Sequence, residues 1–221
     1  TLNGMRPLAG SDSRLDTALA AFAYETNTET VIYSYNPDTK LPTGTLAKIV
    51  TALVAIENSN LDDIVTCSDG IQSKVPGSSL KMKPNLKSGE QLTVNDLLHA
   101  LLMIGANDAA VALAEHVAGV TELFVEQMNN RARELGMKDT HFVNCTGLTA
   151  EGHVTSAHDI ALMSRELIEK HPDIRRYTTI WMDTLRNGTF GLSNTNKLIR
   201  FYDGATGLKT GFTQEAGYCI S

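Results

Sequence analysis

Thr45 and Lys48 stand three residues apart at the start of an apolar segment, a spacing that could place a nucleophile beside a base. Residues three apart on a helix lie on one face, so the two side chains can approach each other. A helix N-terminus favours an alkoxide-like oxygen and a neutral amine. A buried lysine near other cations can lose its proton and activate a hydroxyl. The alternative is a capping threonine with a solvated lysine, and the local pattern alone favours that alternative.

The same spacing occurs twice more in the chain. Residues 78–81 are a literal Ser-x-x-Lys, and residues 206–209 fit the looser form with threonine. A hydroxyl three residues before a lysine arises by chance about once or twice in a chain of this length. Ser78 follows Pro76-Gly77, so it is predicted to be a turn residue. The spacing therefore needs support from other motifs.

Two further motifs carry groups suited to substrate binding. Gly105-Ala106-Asn107 separates two predicted helices, and the Asn107 amide could donate to a substrate carbonyl or simply cap the second helix. Lys209-Thr210-Gly211 falls in a predicted strand, where a glycine leaves room for a peptide along the strand edge. Its lysine and hydroxyl suit a terminal carboxylate. The alternative is an exposed strand with a solvated lysine.

The elements that must position these motifs are predicted to be strands at both chain ends and helices between them. Residues 20–35 are typical of a hairpin, because aromatic and β-branched runs flank the polar turn 26–29. Residues 206–213 and 216–220 are predicted to form a second hairpin. The simplest closure joins both hairpins in one antiparallel sheet with helices packed on it, an α+β fold.

Apolar periodicity and terminal signals predict the helices, and residues 58–91 are predicted to be rich in loops. Ser156 and Asp159 have the form of a capping box with the aspartate in the reciprocal role. The predicted helices are Thr45–Glu57, Thr93–Ile104, Asp108–Val117, Thr121–Leu135 and one from Ser156 to about Lys170.

Composition excludes several function classes. The chain has 221 residues and a net charge of -6, which argues against nucleic acid as a partner. No apolar run reaches the roughly 18 residues that span a bilayer, and no leader peptide is visible at the start. Cys67, Cys145 and Cys219 are widely spaced, so at least one is predicted to be free. The histidines lack helical zinc spacing, so no metal or cofactor is predicted.

Together the three motifs follow the order Ser-x-x-Lys, Ser-x-Asn, Lys-Thr-Gly, and the chain resembles the serine-type D-Ala-D-Ala carboxypeptidases, the low-molecular-mass penicillin-binding proteins. Two longer segments, residues 106–114 and 207–213, are especially similar to that family. The resemblance covers about nine-tenths of the chain. It implies a β-lactamase/DD-peptidase-like fold, with the antiparallel sheet built from both chain ends plus a helical region.

The resemblance also implies the domain organisation. Residues 1–221 would form a single transpeptidase-like catalytic domain. Its α/β part would comprise about residues 1–57 and 190–221, and its mainly helical part about residues 58–189. The chain stops inside a predicted strand, so we expect a missing C-terminal remainder.

By resemblance, the site residues take defined roles. Thr45 would attack the penultimate D-Ala carbonyl, Lys48 would take its proton, and Asn107 would orient the substrate. Lys209 and Thr210 would bind the terminal carboxylate beside Gly211, and the backbone N–H groups of Thr45 and Phe212 would form the oxyanion hole. Expected ligands are stem peptides ending in D-Ala-D-Ala and acylating β-lactams, which implies a bacterial protein outside the cytoplasm.

Two positions depart from the family pattern. Thr45 replaces the nucleophilic serine, and its extra methyl restricts χ1 and crowds the carbonyl carbon. Gly105 replaces the serine that would shuttle a proton to the leaving amine. Three hypotheses follow: a carboxypeptidase with impaired activity, a non-catalytic relative that binds D-Ala-D-Ala ends or a protein partner, and a β-lactamase. The third ranks last, because no Glu-x-x-Leu-Asn element lies between Asn107 and Lys209.

Overall fold

The computed structural model describes residues 17–75, 81–82 and 85–221. Its elements are numbered in chain order. The strands are β1 Ala21–Glu25, β2 Thr30–Tyr35, β3 Leu41–Pro42, β4 Ile64–Thr66, β5 Gln91–Thr93, β6 Val154–Thr155, β7 Met182–Leu185, β8 Phe190–Ser193, β9 Thr210–Thr213 and β10 Gly217–Ile220. The helices are α1 Lys48–Glu57, α2 Val94–His99, α3 Asn107–Ala118, α4 Thr121–Glu134, α5 Ala157–Lys170, α6 Arg175–Thr178 and α7 Leu198–Phe201.

Helix α1 lies at the centre of the molecule. Every residue from Lys48 to Ala55 is buried, because α1 is apolar around most of its circumference and packs against α3, α4 and α5. The predicted helix from Thr45 is confirmed from Lys48 onward. Its predicted first turn differs: Gly44–Ala47 form a tighter 3-10 turn, and Thr43 makes no side-chain cap to it.

The second helical segment ends at the Gly105 motif. Thr93 and Asp96 form a reciprocal capping box that starts α2, and the chain continues into a wider π-helical turn, Ala100–Ile104. Gly105 stops that turn in the left-handed conformation, with φ +71°, so that α3 can begin at Asn107 in a new direction. The break predicted at residues 105–107 is thereby confirmed.

The α+β class is confirmed, but the arrangement of the strands differs from the predicted single sheet. Within the described residues the strands form five separate antiparallel pairs, among them β1–β2 and β9–β10. The first hairpin and the residue after β10 contact α5 within one turn of each other: the Tyr24 hydroxyl donates to the Ala161 carbonyl, and the Ser221 and Ser164 hydroxyls are 2.6 Å apart. Packing on a common helix joins the chain ends without a ladder between them.

The predicted capping box at α5 forms only in part. The Ser156 hydroxyl accepts from the Asp159 backbone N–H, as predicted. The Asp159 carboxylate does not take the reciprocal role. It accepts instead from the Asp139 N–H at 2.8 Å and the Thr140 hydroxyl at 2.7 Å, because the preceding loop supplies donors closer than the helix start.

A hairpin that the sequence patterns did not predict, β7–β8, precedes the last strands. Its turn contains Asn187-Gly188, a common hairpin signal that could have predicted it, and Arg186, Asn187 and Gly188 all lie at positive φ. The hairpin leads directly into Thr195, whose N–H donates to the Met103 carbonyl at 2.9 Å. It therefore ties the π-helical turn to the last strands.

The three cysteines are free, as predicted for at least one of them, with Cys67 and Cys145 buried and Cys219 half-buried. None of the described helices has the length and apolar character needed to cross a bilayer.

Candidate active site

Two glycines distant in the sequence, Gly147 and Gly211, approach the turn that carries Thr45. A Cβ atom on Gly211 would lie 3.0 Å from both the backbone N and the Oγ1 of Thr45. A Cβ on Gly147 would lie 2.3 Å from the Gly44 carbonyl oxygen and 2.9 Å from the Thr45 Cα. Strand β9 and the loop that carries Gly147 are therefore both in contact with the turn that presents the threonine.

The sequence patterns singled out Gly211 but not Gly147. Gly147 has φ +75°, a conformation that favours glycine, and it follows Cys145 and Thr146 in a loop without apolar periodicity. A glycine in a loop is too common to mark a site. Only the fold brings this one against Thr45.

We expect Gly147→Ala to destabilise the protein by about 2–5 kcal/mol, from the left-handed backbone and the clash with the Gly44 carbonyl together. Gly152→Ala is the matched control, since Gly152 has φ +79° and a Cβ added to it would meet no atom within 4 Å. Chemical denaturation measures both variants. Equal losses would show that the contact with the Thr45 turn contributes nothing beyond the backbone conformation.

Lys48 is fully buried one turn after Thr45. Its Nζ donates to the Thr146 carbonyl at 2.5 Å, so the loop that carries Gly147 also encloses the lysine. Burial holds the pKa of Lys48 well below its usual value, the nearby charge of Lys209 lowers it further, and Cys145 opposes the change. The alternative interpretation, in which Lys48 is an exposed and solvated lysine, is therefore wrong. The burial of Lys48 favours a neutral amine one turn after Thr45.

Lys209 directly precedes β9, and Thr210 is the first residue of that strand. Lys209 is buried, its Nζ donates to the Thr210 carbonyl at 2.6 Å, and burial lowers its pKa from the usual 10.5 to about 8. The Thr210 hydroxyl lies 2.7 Å from the Thr195 hydroxyl. A buried cation beside a hydroxyl forms a site that an anionic group can occupy.

The titration of Lys209 predicts a pH dependence of stability. The folded state binds fewer protons than the unfolded state between about pH 8 and pH 10.5, so the free energy of unfolding rises with pH across that window. Below about pH 8 the lysine is protonated in both states and the folded state bears the full penalty, about 3 kcal/mol. Denaturation of the wild type and of Lys209→Met at several pH values isolates this contribution. If the free energies of unfolding of the two proteins change with pH in parallel, the predicted contribution of Lys209 is contradicted.

Gly105 and Asn107 lie where the π-helical turn ends and α3 begins, and both of these elements pack against α1. Asn107 is buried as the first residue of α3, and its Oδ1 has no hydrogen-bond partner among the residues that the structure describes. A buried acceptor without a partner is costly in a folded protein unless a ligand or water meets it. Gly105 is also buried, two residues earlier, and has no hydroxyl to offer.

Two backbone N–H groups, one in the turn at Thr45 and one in β9 at Phe212, lie where the turn meets the strand. The Gly211 contact places the Thr45 N at the edge of β9, and a Cβ on Gly44 would lie 3.9 Å from the Phe212 N. The Phe212 side chain points away and is half-exposed, with its ring 4.7 Å from that of Tyr218. The backbone of residue 212, rather than its ring, is therefore the part that faces the turn.

The Thr45 turn and the Lys209-Thr210-Gly211 segment thus meet, and α3, which begins at Asn107, packs against α1. Residues 78–80 of the second Ser-x-x-Lys lie outside the described residues. Thr206 lies in the loop before β9, where its carbonyl accepts from the Thr178 hydroxyl at 2.7 Å. Together the motifs supply a hydroxyl, a buried amine of lowered pKa, an amide oxygen without a partner among the described residues and a second buried lysine. That set is suited to acyl transfer from a substrate with an anionic end.

Comparisons with known proteins all point to one family of peptidases. A family described as D-alanyl-D-alanine carboxypeptidase matches residues 11–221. The D-alanyl-D-alanine carboxypeptidase DacF of Bacillus subtilis is 41% identical over 212 residues, covering 92% of this chain and 53% of the relative. A D-alanyl-D-alanine endopeptidase of Pseudomonas aeruginosa is 34% identical, covering 91% of this chain and 65% of the relative. The chain thus spans about half to two-thirds of the length of these relatives.

Solved structures agree with the family match. A point mutant of the Streptomyces K15 DD-transpeptidase superposes with a TM-score of 0.83 and 29% identity, covering 91% of this chain and 83% of that one. Penicillin-binding protein D2 from Listeria monocytogenes, in a cefotaxime-bound form, has a TM-score of 0.80 and 33% identity, covering 91% and 81%.

Proposed function

Because the chain belongs to the D-alanyl-D-alanine carboxypeptidase family, we propose that its cleft removes the terminal D-alanine from peptidoglycan stem peptides that end in D-Ala-D-Ala. The relatives are named carboxypeptidase, endopeptidase and transpeptidase, reactions that share an acyl-enzyme and differ in the bond cleaved or in the acceptor. We assign water as the acceptor. We also propose that residues 1–221 make up one catalytic domain that acts outside the bacterial cytoplasmic membrane, where peptidoglycan lies.

The burial of Lys48 one turn from Thr45 is the observation that carries this proposal. A neutral Lys48 amine takes the Thr45 proton while the hydroxyl oxygen attacks the carbonyl of the penultimate D-Ala. The oxyanion is held by the N–H groups of Thr45 and Phe212. The C–N bond then breaks, D-alanine leaves with the proton, and water hydrolyses the ester.

Binding of the substrate is assigned to the other motifs. Lys209 and Thr210 receive the terminal carboxylate, Gly211 leaves room for the peptide along β9, and Asn107 meets a substrate amide with its unpartnered Oδ1 or its NH₂ group. A β-lactam has the same shape and anionic end. The structures of the Listeria relative with cefotaxime and ampicillin support acylation by such compounds.

Thr45 and Gly105 make slow turnover part of the proposal. The threonine methyl restricts the attack, and the missing hydroxyl at Gly105 leaves proton delivery to the leaving amine to water. These two positions also favour the second candidate, a degenerate relative that binds D-Ala-D-Ala ends, or a protein partner, without cleaving.

The two candidates are separated by one experiment. The protein is incubated with a fluorescent penicillin to detect a covalent adduct, and D-alanine release from a D-Ala-D-Ala peptide is measured in parallel. The matched variant is the double replacement Thr45→Ser and Gly105→Ser. An adduct with slow release supports the peptidase. No adduct in the wild type, with adduct and release in the double variant, supports the degenerate relative, and no reaction of either protein contradicts the catalytic assignment.

A further inference from the structure

An exposed threonine that the proposed reaction does not use contacts the Lys209-Thr210-Gly211 segment. Thr195 follows β8 and lies outside all three motifs. Its hydroxyl oxygen lies 2.7 Å from that of Thr210, the first residue of β9. This is the usual distance for a hydrogen bond between two hydroxyls, so one of them donates to the other.

The backbone on both sides of Thr195 is held by two buried asparagines. The Asn194 amide donates to the Ile180 carbonyl at 3.0 Å, and its Oδ1 accepts from the Asn196 N–H at 2.9 Å. The Asn196 amide donates to the Gly207 carbonyl at 3.2 Å, in the segment that leads into β9. Asn194 is 5% exposed and Asn196 1%. Both amides therefore bond to backbone groups and fix the turn between β8 and the last strands.

The backbone of Thr195 is also joined to the segment that precedes Asn107. The Thr195 N–H donates to the Met103 carbonyl, in the π-helical turn that ends at Gly105. Two buried amides and this hydrogen bond thus fix the backbone of a residue whose own side chain is exposed. Loops that a rigid scaffold positions in this way commonly carry binding groups. The group presented by this loop is the Thr195 hydroxyl.

The direction of the hydrogen bond between the two hydroxyls matters to an anion. A threonine hydroxyl has one proton to donate and can also accept. When Thr210 donates to Thr195, its proton is not available to a carboxylate. When Thr195 donates to Thr210, the Thr210 proton is free, and the bond that Thr210 accepts polarises it as a donor. An ionised carboxylate only accepts, so its arrival favours the second direction.

We propose that Thr195 is a positioning residue for the anionic end of the substrate, because it directs the Thr210 proton toward the terminal carboxylate. This inference rests on the proposed function, since it uses the carboxylate site assigned there to Lys209 and Thr210. Thr195 acts through Thr210 and not on the reacting atoms. Lys209 supplies the positive charge, and the pair of hydroxyls supplies a donor of fixed direction.

Two peptides test the inference, acetyl-D-Ala-D-Ala with its C-terminal carboxylate and the same peptide as its C-terminal amide. Ligand-observed NMR measures their affinities for the wild type and for Thr195→Val, which keeps the shape of the side chain and removes the hydroxyl. We expect the wild type to prefer the acid, and Thr195→Val to reduce that preference about 3- to 30-fold. Thr195→Ser restores the hydroxyl and should keep most of the preference. Thr206→Val, another exposed threonine before β9, is the matched control and should behave as the wild type.

A double-mutant cycle with Thr210→Val separates positioning from a merely structural role. Both single variants should lose a similar part of the preference, and the double variant should lose little more than Thr210→Val alone. An equally large effect of Thr195→Val in the Thr210→Val background means that Thr195 acts without Thr210, which overturns the inference. Equal weakening of both peptides by Thr195→Val, with the preference unchanged, indicates a structural role and overturns it as well.

Release of D-alanine from the acid peptide, followed on the same samples, separates the inference from the proposed catalysis. A preference that depends jointly on Thr195 and Thr210 supports the inference even if no D-alanine appears. A preference that is lost in Thr210→Val and retained in Thr195→Val overturns the inference and leaves the proposed carboxylate site intact. A wild type that does not prefer the acid overturns both.

Discussion

Lys48→Met is expected to lower the rate of acylation by a penicillin about 10²–10⁴-fold, the largest loss that we predict. The methionine occupies a similar volume but cannot take the Thr45 proton, so the hydroxyl loses its base. Fluorescent-penicillin labelling under single-turnover conditions measures the rate directly.

The fold should survive this replacement. Lys48 is buried and its pKa lies well below the usual value, so its removal costs mainly the hydrogen bond to the Thr146 carbonyl, about 1–3 kcal/mol. Lys170→Met, an exposed replacement at the end of α5, is the control for the loss of a lysine. A Lys48→Met protein that stays folded and still labels at the wild-type rate would remove Lys48 from the mechanism.

Thr45→Ser is expected to raise the acylation rate by up to about 100-fold, the largest gain that we predict. The Thr45 hydroxyl lies close to Gly211, and the loop of Gly147 lies against the Thr45 backbone. The threonine methyl group limits χ1 and is expected to crowd the incoming carbonyl. A misplacement of about 1 Å at the reacting atoms can cost roughly this factor. Serine retains the hydroxyl and removes the methyl. The same single-turnover labelling measures the gain.

Thr51→Ser is the matched control for this gain. Thr51 is buried in α1, where its hydroxyl donates to the Cys145 carbonyl at 2.7 Å, so the replacement removes the same methyl outside the cleft. It should lower stability slightly and leave labelling unchanged. A similar rise in both variants would indicate a looser α1 instead of a freer nucleophile. No rise in Thr45→Ser would mean that the methyl group does not limit the attack.

Much of the fold was predictable from local patterns. The first hairpin, the apolar α1, the break at residues 105–107 and the last hairpin all follow from periodicity and turn residues, which act over a few positions. The β7–β8 hairpin was not predicted, although its turn contains Asn187-Gly188, a pair that favours the positive φ found there. The predicted single sheet assumed that end strands pair with each other. In the structure no ladder joins the two hairpins among the described residues, and the first hairpin and Ser221, which follows β10, both contact α5.

Thr45 shows best what the sequence determined and what it did not. The sequence supplied a hydroxyl three residues before a lysine and the order of three motifs, and this was enough to indicate the family. It could not decide whether Lys48 was buried or solvated, because that depends on Thr146, which lies 98 positions later in the chain. Nor could it place Gly147 and Gly211 against the turn that carries Thr45. Burial and close approach are properties of tertiary packing, and they alone lower the pKa of Lys48 and so allow it to act as a base.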